Sequence, residues 1–290
     1  MRSLLFVPGD DETKLAKALA SEADALILDL EDSVAFAAKH AARQTASEFL
    51  SEARRREHRP RLFVRVNPLD SGLTDADLET VMRARPDGIV LPKCLDGSGV
   101  QQLGAKLAVR EAEYGLDDGA TRILAIATET ACSLFGFASY RGCSRRLEGL
   151  VWSGEDLSAD LGAETNRLPD GRYAAPYVFA RTLTLIGAAA AGVNAIDAVY
   201  TNFRDIEGLR EEALAARRDG YVAKMAIHPA QVAVINAVFT PSAEAVAHAH
   251  AVIAAFEAAP GAGIVSLDGE MLDLPHWTRA KKLLARAGLG

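Results

Sequence analysis

A (β/α)8 TIM barrel with a C-terminal lid extension is the fold class that the sequence predicts, on three observations. Eight short apolar runs alternate with segments of helical patterning, starting near Ser3, Asp24, Arg61, Gly88, Arg122, Gly149, Asn194 and Val222. Several runs stop abruptly on charged residues, as buried parallel strands do when their chemistry collects at the strand C-termini. After Pro229 the alternation ceases and a different texture begins.

The first run, Leu4-Leu5-Phe6-Val7, is followed by a helical pattern over 11–20. Leu26-Ile27-Leu28 runs into Asp29-Leu30-Glu31-Asp32, and 35–53 reads as the second helix. Leu62-Phe63-Val64 ends on Arg65 before a helix over 75–84, and Ile89-Val90-Leu91-Pro92 ends on Lys93 before a helix over 99–114. The fifth run, 123–127, meets Thr128-Glu129, and the sixth meets Ser153-Gly154-Glu155-Asp156. Helices over 176–191 and 206–218 flank the seventh run, and His228-Pro229 closes the eighth. Parallel pairing through right-handed crossovers follows from this alternation, and eight repeats fit a closed barrel better than an open doubly wound sheet. No G-x-G-x-x-G or G-x-x-x-x-G-K-[ST] follows any strand, so the usual nucleotide loops are absent. The barrel is assigned to 1–235. The remainder, 236–290, reads as a lid: a helix over 241–259, a hairpin turning at Asp268-Gly269, and a basic helix over 276–287. Such a lid can cap its own active site or a neighbour's.

With 24% charged and 49% hydrophobic residues in 290, the chain has the balance of a soluble globular protein. A net charge of −7, with no basic block larger than Arg54-Arg55-Arg56, disfavours nucleic acid or an anionic membrane as the main partner. Cys94, Cys132 and Cys143 lack C-x-x-C spacing and read as reduced thiols, so a cytoplasmic location is expected. The longest low-polarity stretch, 183–196, is too short to span a bilayer.

Glu129 and Asp156 end neighbouring strands, and two carboxylates without nearby histidines suit a hard cation such as Mg2+; a helix cap or a structural Arg partner is the competing reading. Arg65 at the barrel mouth can clamp a carboxylate bidentately or pair with the Asp29/Glu31/Asp32 cluster, and both can hold. Alternation along a strand prevents Asp29, Glu31 and Asp32 from all facing one way. Lys93 can bind a substrate anion, whereas a Schiff-base role would require it to be desolvated and deprotonated. His228 is either structural or a ligand contact. His248 and His250 are a poor metal pair at their spacing on a helix. Trp152 reads as core, and Asp273, taken alone, reads as a surface or capping residue.

In order along the chain stand Arg2-Ser3-Leu4-Leu5-Phe6-Val7-Pro8-Gly9, Leu28-Asp29-Leu30-Glu31-Asp32-Ser33-Val34, Arg65-Val66-Asn67, Leu91-Pro92-Lys93, Glu129-Thr130-Ala131, Gly154-Glu155-Asp156-Leu157 and Ile227-His228-Pro229-Ala230-Gln231. Together they resemble the citrate lyase β-subunit-like and malyl-CoA lyase group of the aldolase/citrate lyase family, from residue 2 to about 285. The resemblance implies a Mg2+-dependent lyase, a homotrimer or hexamer. Such an enzyme cleaves or forms a C–C bond between an acyl-CoA thioester and a 2-oxo acid. It implies Glu129 and Asp156 as metal ligands and Arg65 as the substrate clamp. Gly154 and Glu155 would bind substrate through backbone N–H groups. Asp273 would be the catalytic acid/base on a lid that reaches a neighbouring subunit, displacing the capping reading. Lys17, Lys39 and Arg43 stand where the first helices of such proteins could meet CoA phosphates. Rival expectations are a CoA-free pyruvate-type aldolase and a citrate lyase β component acting only within a multisubunit complex.

Overall fold

The computed structural model describes residues 1–289. Eight parallel strands close into a barrel in sequence order: β1 Ser3–Pro8, β2 Ala25–Asp29, β3 Arg61–Arg65, β4 Gly88–Leu91, β5 Arg122–Ile126, β6 Leu147–Val151, β7 Asn194–Asp197 and β8 Ala223–Ala226. Closure is made by β1 pairing with β8, with Ser3 opposite Lys224. The period of two divides each strand. Leu4, Ile27, Phe63, Val90, Leu124, Val151, Ile196 and Met225 fill the barrel interior, while the intervening residues face the helical layer. Gly88 is required by this filling, since a Cβ there would lie 2.3 Å from the Phe63 ring.

The helices of the barrel unit are α1 Glu12–Leu19, α2 Lys39–Ala53, α3 Thr74–Val81, α4 Gly97–Tyr114, α5 Glu155–Asp160, α6 Ala175–Ala191, α7 Ile206–Asp219 and α8 Pro229–Phe239. Their ends follow local chemistry. Asp11, Asp96 and Asp205 accept backbone N–H groups at the starts of α1, α4 and α7, and Gly115 and Gly192 end α4 and α6 in the left-handed region. The expected helix over 35–53 divides into a 3-10 turn at Phe36–Ala38 and α2. The sixth strand starts at Leu147 rather than Gly149, because Glu148 pairs with Arg61 instead of marking a loop.

Two units divide the chain, Met1–Asn236 and Ala237–Gly290. In the second, α9 Ala243–Glu257, β9 Ile264–Leu267, β10 Glu270–Asp273 and α10 Leu274–Arg286 follow one another. The hairpin turns where the sequence placed it: Asp268 and Gly269 have φ of 51° and 84°, the pair of positive values that a type I′ turn requires. Val252 and Phe256 of α9, Leu272 of β10 and Leu284 of α10 form this unit's own core.

Candidate active site at the C-terminal mouth of the barrel

A cavity of about 450 Å³ opens at the strand C-termini, lined among others by Asp29, Asp32, Arg65, Glu129, Glu155 and Asp156. Register brings the first pair together. Asp29 and Arg65 are direct neighbours across β2 and β3, and Arg65 donates from Nε and Nη2 to the two Asp29 carboxylate oxygens at 2.7 Å each. Its Nη1 lies 2.9 Å from Glu31 Oε2, and the guanidinium stacks 4.9 Å from the Phe6 ring centroid. The two acids outweigh the cost of burial and raise the Arg65 pKa further. Asp29 is held below its ordinary range: burial pushes it up, but Arg65 and the N–H groups of Ser33 and Glu31 more than offset that. Both readings of Arg65 are therefore compatible with the geometry, since a bidentate partner fixes the guanidinium while it still lines the cavity.

Glu129 is the exceptional group. It is 2% exposed; its Oε2 accepts the Lys93 backbone N–H, and its Oε1 is buried without any hydrogen-bond partner. Lys93 can aim that N–H because it adopts a left-handed φ of 49°. Burial, then the nearby charges of Asp156 and Glu31, push the Glu129 carboxyl up to about 8. Asp156 sits in the first turn of α5 and accepts from Ser153 Oγ at 2.7 Å. Thr128 Oγ1 ties the two strand ends together, accepting from Ser153 N at 2.8 Å. A buried carboxylate oxygen without a partner, within the field of a second carboxylate, suits a cation. Among the described residues no cluster of three or more His, Cys, Asp or Glu forms a complete metal cage. A two-carboxylate site fits Mg2+, which keeps most of its shell as water or substrate oxygens.

Of the other expected residues, Gly154 precedes α5 and Glu155 is anchored by Asn166, whose Nδ2 donates to Oε1 at 2.7 Å. Lys93 pairs with Glu31 and, at 3.5 Å, with Asp32; against burial, Glu31, Glu129 and Asp32 hold its ammonium above the ordinary lysine value. That is the wrong direction for a Schiff-base nucleophile. Lys39 donates to the carbonyls of Leu30 and Glu31 at 2.7 Å each. Arg43 is buried, with Nε 2.6 Å from Asp77 Oδ1 and Nη2 without a hydrogen-bond partner. Lys17 lies in the last turn of α1. His228 stacks on Phe203 at 4.8 Å and takes a structural part, its Nδ1 accepting from Ala230 N. Trp152 is core, donating to Asp197 at 2.7 Å. Asp273, in the second unit, is the N-cap of α10 in a capping box with His276, 2.5 Å from its Nδ1. That contact holds its carboxyl low. The capping reading and an ionised carboxylate are thus both present at Asp273.

Sequence reasoning missed three supports. Thr128 and Asn166 position the carboxylates, and the fully buried Lys224 binds Asp197 at 2.6 Å and Glu212 at 2.8 Å in the helical layer. The Asp197–Lys224 pairing follows from adjacency of β7 and β8, which becomes visible once register is known.

Over residues 174–289 the chain matches the pattern of the carbon–carbon bond lyases of the TIM-barrel fold. Over residues 2–229 it matches the HpcH/HpaI aldolase/citrate lyase family, to which the chain belongs. Citrate lyase subunit beta of Leuconostoc mesenteroides is 33% identical over 288 residues, 99% of this chain and 93% of the relative. A (3S)-malyl-CoA thioesterase of Cereibacter sphaeroides is 36% identical over 288 residues, 99% of this chain and 94% of the relative. Among solved structures, CitE from Mycobacterium tuberculosis in complex with magnesium, acetoacetate and coenzyme A has a TM-score of 0.76 at 33% identity, covering 99% of this chain and 98% of that one.

Proposed function

We propose that this protein is a Mg2+-dependent lyase that makes or breaks the C–C bond between an acetyl-CoA-type thioester and a 2-oxo acid, acting on hydroxyacyl-CoA of the citryl, malyl or citramalyl type. The observation that carries the reading is Glu129 Oε1, buried and partnerless in a cavity lined by five carboxylates and one guanidinium. The relatives crystallised with magnesium and coenzyme A support the choice of ion and cosubstrate.

Glu129 and Asp156 would hold the ion, which when bound supplies Lewis acidity and a template for the oxygens of the oxo acid. Arg65, fixed by Asp29, would receive the substrate carboxylate through its remaining N–H groups. Backbone N–H groups after Gly154, at the start of α5, would assist it. Asp273, of the same chain or a neighbouring copy, is the proposed acid/base: held ionised beside His276, it would take the thioester α-proton in condensation and return it in cleavage. A carboxylate is far too weak a base for that carbon in water, so the step requires fixed donors at the enolate oxygen and exclusion of solvent. A carboxylate borne on a separate unit would couple that exclusion to chemistry.

The test is incubation of the purified protein with acetyl-CoA, Mg2+ and a 2-oxo acid, with mass-spectrometric detection of new hydroxyacyl-CoA or its free acid. The reading expects product that disappears with EDTA. Mg2+-dependent turnover of hydroxy-oxo acids without CoA, and none with it, would replace this reading by the pyruvate-type aldolase.

A further inference from the structure

The mouth of the barrel is divided by strand order into two arcs of opposite chemistry. Asp29 of β2, Arg65 of β3, Glu129 after β5 and Asp156 after β6 make a polar arc. From β6 through β8 the wall is apolar, built from Val151, Ala198, Val199, Met225 and Ile227. Among the described residues, Arg65 is the sole cation lining the cavity. Three cations on the β7–β8 side are engaged elsewhere. Lys224 points into the helical layer, fully buried on Asp197 and Glu212. Arg167 pairs with Glu212 at 2.8 Å, and Arg204 lies over the Phe203 ring outside the cavity lining.

We propose that the acceptor is a 2-oxo acid with one carboxylate and a small apolar substituent, of the pyruvate class, rather than a dicarboxylic acid of the oxaloacetate class. The inference rests on the Claisen reading above and specifies its acceptor. A 2-oxo acid whose carboxylate and carbonyl face the polar arc must direct its remaining substituent across the barrel, toward Val199, Met225 and Ile227. A methyl group is welcome on that wall. A carboxymethyl group would bring a second negative charge to an apolar surface within a cavity already carrying five carboxylates, whose described lining holds no cation besides Arg65. In condensation the thioester α-carbon loses its proton to the base and bonds to C2 of the acid, whose carbonyl oxygen takes up a proton. The product is then a 3-hydroxy-3-methyl dicarboxylic monothioester, and no further reactant is needed.

Two measurements on the intact protein decide it. The first is kcat/KM for condensation of acetyl-CoA with pyruvate, glyoxylate and oxaloacetate at saturating Mg2+. The second is calorimetric binding of the same acids to Mg2+-loaded protein without CoA. Pyruvate is expected to exceed glyoxylate by about tenfold, the worth of one methyl in an apolar pocket, and to exceed oxaloacetate by about a hundredfold. Binding should follow the same order. Oxaloacetate matching or exceeding pyruvate in either measurement would overturn the proposal. Because the second measurement needs no turnover, a protein inactive with CoA thioesters still tests the acceptor class separately from the reaction. Val199→Lys, which puts a cation on the apolar wall, should narrow the pyruvate-to-oxaloacetate binding ratio at least about tenfold; an unchanged ratio in the folded variant would overturn the role of that wall.

Discussion

Mg2+ uptake by this protein should be tightly coupled to pH through Glu129. Its carboxyl, buried against Asp156 and Glu31 with one oxygen unpartnered, titrates at about 8 without the ion. A metal must displace that proton, so the apparent dissociation constant should rise about fiftyfold from pH 8 to pH 6, and about 0.9 proton should leave per ion bound at pH 7. The same shift acts on stability with a definite sign. The folded pKa lies above the ordinary value of 4.5, so the native state binds more protons than the unfolded chain between those limits. Metal-free protein should therefore lose stability as pH rises through that window, by on the order of 5 kcal/mol in all. Excess Mg2+ should restore it at the alkaline end. Calorimetric titrations at pH 6, 7 and 8, each in two buffers of different ionisation enthalpy, read affinity and proton release together. Affinity flat across this range with no proton release would refute the reasoning, and Glu129→Gln should abolish both effects.

Arg65→Met leaves Asp29 and Glu31 without their buried cation and should destabilise the fold by about 3–5 kcal/mol in urea melts, in addition to abolishing acid binding. Lys224→Met strands Asp197 and Glu212 and should cost a similar amount, about 3–5 kcal/mol, in the same melts. A loss below 1 kcal/mol in either variant would contradict the assigned pairing. Asp273→Asn should abolish turnover while leaving Mg2+ affinity and the melting temperature nearly unchanged; near-normal activity would remove Asp273 from the mechanism.

Much of the fold and of the barrel mouth is legible in the sequence, for physical reasons. Fully buried parallel strands write themselves as uninterrupted apolar runs, and a charge ends them where the barrel mouth begins, as at Arg65 and at Thr128-Glu129. The I′ hairpin was legible because Asp268-Gly269 leaves few alternative conformations. What stayed hidden depends on register and long-range pairing. Arg43 meets Asp77 across 34 residues, a pairing between α2 and α3 that spacing along the chain does not reveal. Asp29 and Glu31 both reach Arg65 because β2 ends at Asp29 and the chain turns before Glu31, which a strand alternation rule cannot anticipate. Lys224 lies in a strand otherwise made of Ala and Met, and only the adjacency of β7 explains how it tolerates burial.

The central claim is that Glu129 and Asp156 together hold the divalent ion that a 2-oxo acid completes. Crystals grown with Mn2+ in place of Mg2+, with and without pyruvate, test it most directly through the anomalous signal. The account predicts one strong peak beside Glu129 and Asp156, with pyruvate bound next to it and its methyl directed at Val199. A peak elsewhere, or none at these two carboxylates at saturating metal, would contradict it.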